Sequence, residues 1–290
     1  MPFEKAHPMK KLVLTAAAVA LLTSAASAAD LPRRVEPPVV FTPVPVFTWT
    51  GFFAGVETSY SFLDRQRYTT TGIDTANITA INLGQRVGAV RSRDIDGLGS
   101  LGGGFGYNYQ FTPGSGIVVG AALNVDWTDI HKNTVAIGNL GDPSVYRSSL
   151  EWLGTLNGRV GYAFDRFMIY GTGGLAFGYA ENSAAFYGND LTLRYAGGDI
   201  SFRTGFAYGG GVEYAIPEDS FLNYLSVGKY LGIKSSAVTL KAEYLHYDLG
   251  SRNVLVANTG LPGVFGTGYN VRFNNEGNII RAGFNYKFGE

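Results

Sequence analysis

The stretch IIRAGFNYKF, residues 279–288, puts Ala282, Phe284, Tyr286 and Phe288 at every second position, with Arg281, Gly283, Asn285 and Lys287 between them. A period of two, aromatic on one face and polar or small on the other, is the pattern of a strand with one side against lipid and the other against a packed polar interior. It predicts a transmembrane β-barrel. Phe284, Tyr286 and Phe288 then form the outward row of the terminal assembly strand, which closes the barrel against the first strand.

Seven further segments upstream alternate in the same way, at 49–62, 97–111, 117–130, 150–164, 167–179, 202–216 and 238–249. In the first, Phe52, Ala54, Val56, Tyr60 and Phe62 oppose Gly55, Glu57, Ser59 and Ser61; in the fourth, Leu150, Trp152, Leu156, Val160 and Tyr162 oppose Thr155, Asn157 and Arg159. One such segment is a weak signal. Eight in series, each near or above the ~9 to 11 residues a tilted membrane strand needs, specify an all-β, eight-stranded antiparallel up-and-down barrel.

Export agrees with this. Lys10 and Lys11 precede an apolar run at 12–22, too short to span a bilayer, and Ala26-Ser27-Ala28 provides small residues at the expected cleavage positions. Residues 1–28 read as a signal peptide cleaved between Ala28 and Ala29, with 1–8 as a possible upstream start artefact before Met9. Prolines 32, 37, 38, 43 and 45 deny 29–48 both helix and central-strand geometry, which predicts an extended periplasmic tether ahead of a barrel over 49–288.

Composition narrows the class further. Beyond residue 22 no apolar run approaches the ~18 residues of a spanning helix, yet the chain holds 40 Gly, 18 Tyr and 19 Phe. The absence of Cys excludes a disulfide framework or a thiolate metal site and suits an oxidising envelope compartment. Three of the 23 basic and one of the 23 acidic residues lie in 1–28, leaving 20 against 22, so there is no electrostatic footprint for nucleic acid.

Connections alternate in length. Residues 112–116 and 165–166 are short turns, whereas 63–96, 131–149, 180–201 and 250–271 are long and polar, so the barrel is expected to have long exterior loops, mostly short periplasmic turns and both termini in the periplasm. The exception is 217–236, an insertion on the periplasmic side.

Charged residues on the polar faces gather at one height: Glu57, Arg159, Glu213, Glu243 and Arg281. Facing lipid near the midplane they would cost about 2 to 4 kcal/mol each, so they are expected to point inward and pair as a lumen charge network. Glycines opposite long side chains let an eight-stranded interior fill completely. Gly102-Gly103-Gly104-Phe105-Gly106 leads into no helix and is therefore no phosphate loop. Catalysis needs a nucleophile beside an oriented base. His7 precedes the signal peptide, His131 falls in an exterior loop and His246 in the lipid-facing register, while the carboxylates Asp94, Asp96, Asp248 and Glu276 specify no geometry. No enzyme, cofactor or metal site is expected. Aromatics at both segment ends, such as Tyr107, Tyr109 and Tyr162 at one and Trp127, Trp152 and Tyr179 at the other, read as headgroup girdles.

Several stretches go beyond pattern. GGGFGYNYQF at 102–111, LGTLNGRVGYAFDRFMIYGTGGLAFGYA at 153–180, FRTGFAYGGGVEYAI at 202–216, LKAEYLHYDLG at 240–250, IIRAGFNYKF at 279–288 and the mature start AADLPRR resemble the small outer-membrane β-barrel, porin-like surface protein family abundant in rhizobia-like alphaproteobacteria. That resemblance implies an eight-stranded barrel in the superfamily of the OmpA transmembrane domain and the opacity proteins. The chain departs from the family pattern at 217–236 and in Gly289 and Glu290 after the terminal Phe288. The expected role is a structural, surface-exposed outer-membrane protein that contributes to envelope integrity, its lumen plugged by side chains. A narrow porin or ligand-uptake barrel is the alternative, and a membrane-embedded hydrolase a more distant one. Expected partners are outer-membrane lipid and lipopolysaccharide and the barrel-assembly machinery.

Overall fold

The computed structural model describes residues 46–63, 66–92, 97–217 and 237–288. The expected signal peptide with its Ala28–Ala29 cleavage site, nearly all of the Pro-rich tether and most of the 217–236 insertion lie outside the described residues. Ten strands and one helix follow in chain order: β1 (Gly51–Leu63), β2 (Arg67–Gly72), α1 (Thr75–Asn82), β3 (Ala89–Arg91), β4 (Gly97–Gln110), β5 (Ser115–Ile137), β6 (Pro143–Phe164), β7 (Phe167–Tyr187), β8 (Leu193–Ala215), β9 (Ala237–Asn258) and β10 (Gly268–Phe288).

Eight of the strands close into a ring. The pairing runs β1, β4, β5, β6, β7, β8, β9, β10, and β10 returns to β1, with Phe288 opposite Phe52 and Arg281 opposite Ser59. Every pairing is antiparallel between strands adjacent in the ring, which leaves the membrane-spanning wall without an edge strand, as a sheet in lipid requires. The short β2 and β3 add to β10 beyond the end of β1, so the connection from β1 to β4 carries its own small sheet and α1. Asp74 caps α1 by accepting from the Asn77 amide at 3.1 Å.

The outward rows are apolar and exposed. Phe52, Val56 and Tyr60 on β1, Leu101 and Phe105 on β4, Trp127 on β5 and Leu175 on β7 all leave large side chains uncovered. A contiguous apolar belt of this extent is a surface built for lipid.

Away from the termini the structure differs from the sequence expectation in how the long connections are made. Segments 131–149, 180–201 and 250–271 are mostly strand: only 138–142, 188–192 and 259–267 join β5 to β6, β7 to β8 and β9 to β10. In this extension the sorting of apolar residues to the outside is lost. Tyr146, Phe186, Tyr195, Val254, Val256, Tyr269, Val271 and Phe273 point inward and pack with Tyr68 from β2, while Asn133, Arg147, Glu181 and Arg272 face out and are exposed or half-exposed. An outward row that mixes these with the exposed Val135, Ile137, Ile200 and Leu255 lacks a continuous lipid signature, so the reading by lipid-type alternation ended too early.

Leu150 is the clearest correction. It was expected in the outward row of its strand, but a bulge between Leu150 and Trp152 inserts Glu151 and turns Leu150 into the interior, where it is buried. A one-residue slip exchanges the two faces of a strand. A second shift sets Leu249 and Gly250 of β9 opposite the single Asn275 of β10, and Gly250 takes a φ of 76°, which favours glycine.

Candidate functional site

The barrel interior at mid-height is a band of charge built from six strands. Its centre is Arg281 on β10, fully buried, which donates from Nε and Nη2 to Asp126 Oδ2 on β5 at 2.9 and 2.6 Å. Its Nη1 donates to Glu243 Oε1 on β9 and to Thr155 Oγ1 on β6, both at 3.2 Å. Glu57 on β1 stands 3.6 Å from Arg281 Nε and pairs closely through its other oxygen with Lys241 of β9. Arg159 on β6 forms a second centre: Nη1 reaches Glu213 Oε2 on β8 at 3.2 Å, Nε donates to Asn108 Oδ1 at 2.7 Å, and the guanidinium lies 4.3 Å from the centroid of the Phe53 ring.

Neutral donors complete Glu243 and Glu213. Tyr170 donates to Glu243 Oε2 at 3.0 Å, and Asn285 and Thr239 both donate to Glu213 Oε1. Buried ions survive only when paired and hydrogen-bonded in this way. All five expected charges, Glu57, Arg159, Glu213, Glu243 and Arg281, point into the interior. Asp126 and Lys241 belong to the same band and were missed, although each stands at a polar position of the alternation in its segment. What the chain pattern lacked was the stagger between strands, which brings residues of β5 and β10 to one height.

Glycine makes the space. Gly102 of β4 lies between Glu57 and Asp126 in register, and a Cβ there would come within 2.6 Å of Asp126 Oδ1 and 2.7 Å of the Val125 carbonyl oxygen. Gly211 of β8 stands opposite Glu243, and a Cβ there would sit 2.7 Å from the Tyr170 hydroxyl.

Apolar layers lie on both sides of this band. Toward the termini, Trp49, Val118, Ala163, Met168, Tyr170 and Ala215 pack together with Phe47, and Trp49 donates from its indole to the Asp165 carbonyl at 2.9 Å. On the other side Leu153, Leu245 and Ile279 begin a second layer that continues through Leu150, Tyr247 and Leu249. The aromatic core of the strand extension lies beyond it.

Phe284, Tyr286 and Phe288 alternate with the inward Asn285 and Lys287 along β10 and are half-buried between neighbouring strands. The two described histidines take no part in the band. His131 is exposed on β5, within strand rather than loop, and His246 faces outward on β9, where its Nδ1 lies 3.0 Å from Asn278 Oδ1. Among the described residues no group of acidic and histidine side chains is placed to hold a metal ion.

An edgeless antiparallel ring with an apolar exterior and paired charges inside defines an outer-membrane β-barrel. The chain belongs to the outer membrane protein beta-barrel domain family, whose model matches residues 68–288. Proteins of Brucella melitensis and Brucella suis, each called a 31 kDa outer-membrane immunogenic protein, are 30% identical over 281 residues, covering 96% of this chain and the whole of theirs. Among solved structures, the outer membrane protein OprG of Pseudomonas aeruginosa matches 83% of this chain and 97% of its own at 13% identity and a TM-score of 0.42.

Proposed function

We propose that this protein is a structural, surface-exposed barrel of the outer membrane that contributes to envelope integrity, with an interior closed by its own side chains. The observation that carries the reading is the sequence of layers along the barrel axis. A paired charge band lies between apolar layers, and an ion crossing it would have to displace Leu153, Leu245 and Ile279 as well as break the Arg281 pairs. Hydrated ions do not enter apolar interiors of this kind without a large desolvation cost.

In this reading both termini are periplasmic and the strand extension with α1 is exterior. The name of the Brucella relatives, immunogenic outer-membrane proteins, supports a surface-exposed protein. Residues 1–28 act as a signal peptide removed between Ala28 and Ala29, and 29–48 tethers the mature chain on the periplasmic side. The apolar belt meets outer-membrane lipid and lipopolysaccharide, and the alternating Phe284, Tyr286 and Phe288 are read by the barrel-assembly machinery. The role proposed is structural rather than enzymatic.

Single-channel recording on refolded protein tests the proposal. The expected result is a silent bilayer at protein levels that give clear steps with a general porin. Stable conductance steps from the wild-type chain would overturn the closed interior and establish the narrow-porin alternative. Loss of envelope integrity is read separately, as increased detergent sensitivity of a deletion strain.

A further inference from the structure

We propose that the end of the barrel opposite the termini carries a binding pocket for a small organic carboxylate with a flat apolar body. The pocket has a volume of about 290 Å³ and lies between α1, the start of β8 and the 260–267 turn. That is the small end of the ~300 to 1,000 Å³ usual for ligand sites.

Its walls are fixed in place by side-chain bonds between elements distant in sequence. Asp74 caps α1 and accepts from the Thr267 amide, and Asn77 Oδ1 accepts from the Gly268 amide at 2.9 Å. Tyr195 donates to the Phe265 carbonyl at 2.6 Å, and Asn258 donates to the Val264 and Gly266 carbonyls at 3.2 and 2.8 Å. Gly266 has a φ of 85°, and a Cβ there would come within 2.4 Å of Asn77 Oδ1, so the turn can approach the helix this closely only with glycine. A cavity held open by such bonds needs little ordering on binding.

Charge selects the ligand. Two arginines line the pocket and no carboxylate does. Arg86 is buried and donates to the carbonyls of Pro143 and Tyr187 at 3.0 and 2.6 Å, neutral acceptors that leave its charge in place. None of the ion pairs among the described residues includes it, and Asp142 acts on it only from beyond ion-pair distance. Arg194 is partly exposed and its ion pair among the described residues is with Asp190, at 3.5 Å and itself half-exposed, a contact weak enough for an incoming anion to replace. A carboxylate fits a guanidinium in the two-bond geometry that arginine favours. The remaining lining sets the aromatic Tyr195, Tyr269 and Phe265 and the apolar Ala76, Ala80 and Val264 beside the neutral polar Asn77 and Gln85. One unit of negative charge on an unsaturated ring matches that lining better than a phosphate or a neutral sugar.

The test uses 4-fluorobenzoate as the probe, followed by fluorine NMR on the whole refolded chain in micelles, with 4-fluorobenzamide as its neutral twin and inorganic phosphate as competitor. Folding of each variant is checked by its unheated mobility on a gel. The expected result is saturable broadening of the benzoate signal, with affinity at least ~10-fold lower for the benzamide and for Arg194→Gln, the scale of one lost charge-assisted hydrogen bond. Ala80→Trp, which fills the cavity and leaves every charge in place, should abolish the broadening. No saturable binding, equal binding of the benzamide, or wild-type binding in both variants would overturn the site. Displacement of benzoate by phosphate at equal concentration would overturn the carboxylate assignment.

Discussion

Arg281 and Asp126 are 155 residues apart in the chain, yet two nitrogens of one guanidinium converge on a single carboxylate oxygen at 2.9 and 2.6 Å in the centre of the barrel. β10 and β5 are not neighbours in the ring. The bond therefore crosses the interior and ties together strands three places apart in the ring of eight.

Breaking this contact should weaken the barrel unequally from its two sides. Arg281→Gln leaves Asp126, Glu57 and Glu243 without their shared cation, and loss of one partner of a buried pair typically costs about 3 to 5 kcal/mol. Asp126→Asn leaves Arg281 with two carboxylates and should cost about 1 to 3 kcal/mol. Urea unfolding from lipid vesicles reads both, and equal midpoints for the two variants would count against Arg281 as the hub.

Removal of Arg159 should destabilise the barrel without opening it. Arg159→Ala deprives Glu213 of its cation, but the layer of Leu153, Leu245 and Ile279 remains. The expected outcome is a lower melting temperature with the bilayer still silent; steady conduction by this single variant would show that the charge band alone seals the interior.

Two glycines of β4 should respond in opposite ways to a methyl group. At Gly102 a Cβ collides with Asp126 and with backbone, whereas at Gly99 nothing lies within 4 Å. Overpacking predicts a loss of about 1 to 3 kcal/mol for Gly102→Ala, while Gly99→Ala should be neutral or stabilising by up to about 1 kcal/mol through lower chain entropy in the unfolded state. Unfolding midpoints in the wrong order would refute the packing account.

Acid should loosen the turn at 260–267. The Thr267 and Asn77 amides, bonded to Asp74, hold its carboxyl below the ordinary aspartate range. A depressed folded-state pKa contributes stability that is present above the unfolded value, about 4, and is lost as pH falls through the folded value. Amide exchange at Thr267 and Gly268, corrected for its intrinsic pH dependence, should therefore rise below about pH 4. Asp74→Asn should flatten that dependence; an unchanged profile in this variant would assign the effect to other groups.

The terminal row is tested by Phe288→Asp. A carboxylate on the outward side of β10, paired opposite Phe52, is expected to lower the yield of folded protein in membranes, with a cost of about 1 kcal/mol at an interface position. A charge-preserving control, Glu290→Asp, should leave yield unchanged. Equal yields would remove Phe288 from the assembly row.

Where lipid imposes a rule on every second residue, the chain could be read alone. Phe52, Val56 and Tyr60 against Glu57 and Ser59, or Phe284 and Tyr286 against Arg281 and Asn285, are sorted to their faces by a period that needs no partner strand. The strand extension obeyed no such rule, because outside lipid a mixed outward row with charged residues resembles a loop, and only the closed ring shows Tyr146, Phe186 and Phe273 meeting as a core. Pairing depends likewise on stagger: Asp126 and Lys241 sat on the polar faces in sequence, but their distance from Arg281 and Glu57 is set by the shear of eight strands, a property of the whole ring. The bulge at Glu151 is of the same kind. An extra residue in one strand has meaning only against the neighbour that lacks it, so the inward turn of Leu150 was decided by tertiary structure, whereas the barrel itself was written in the alternation.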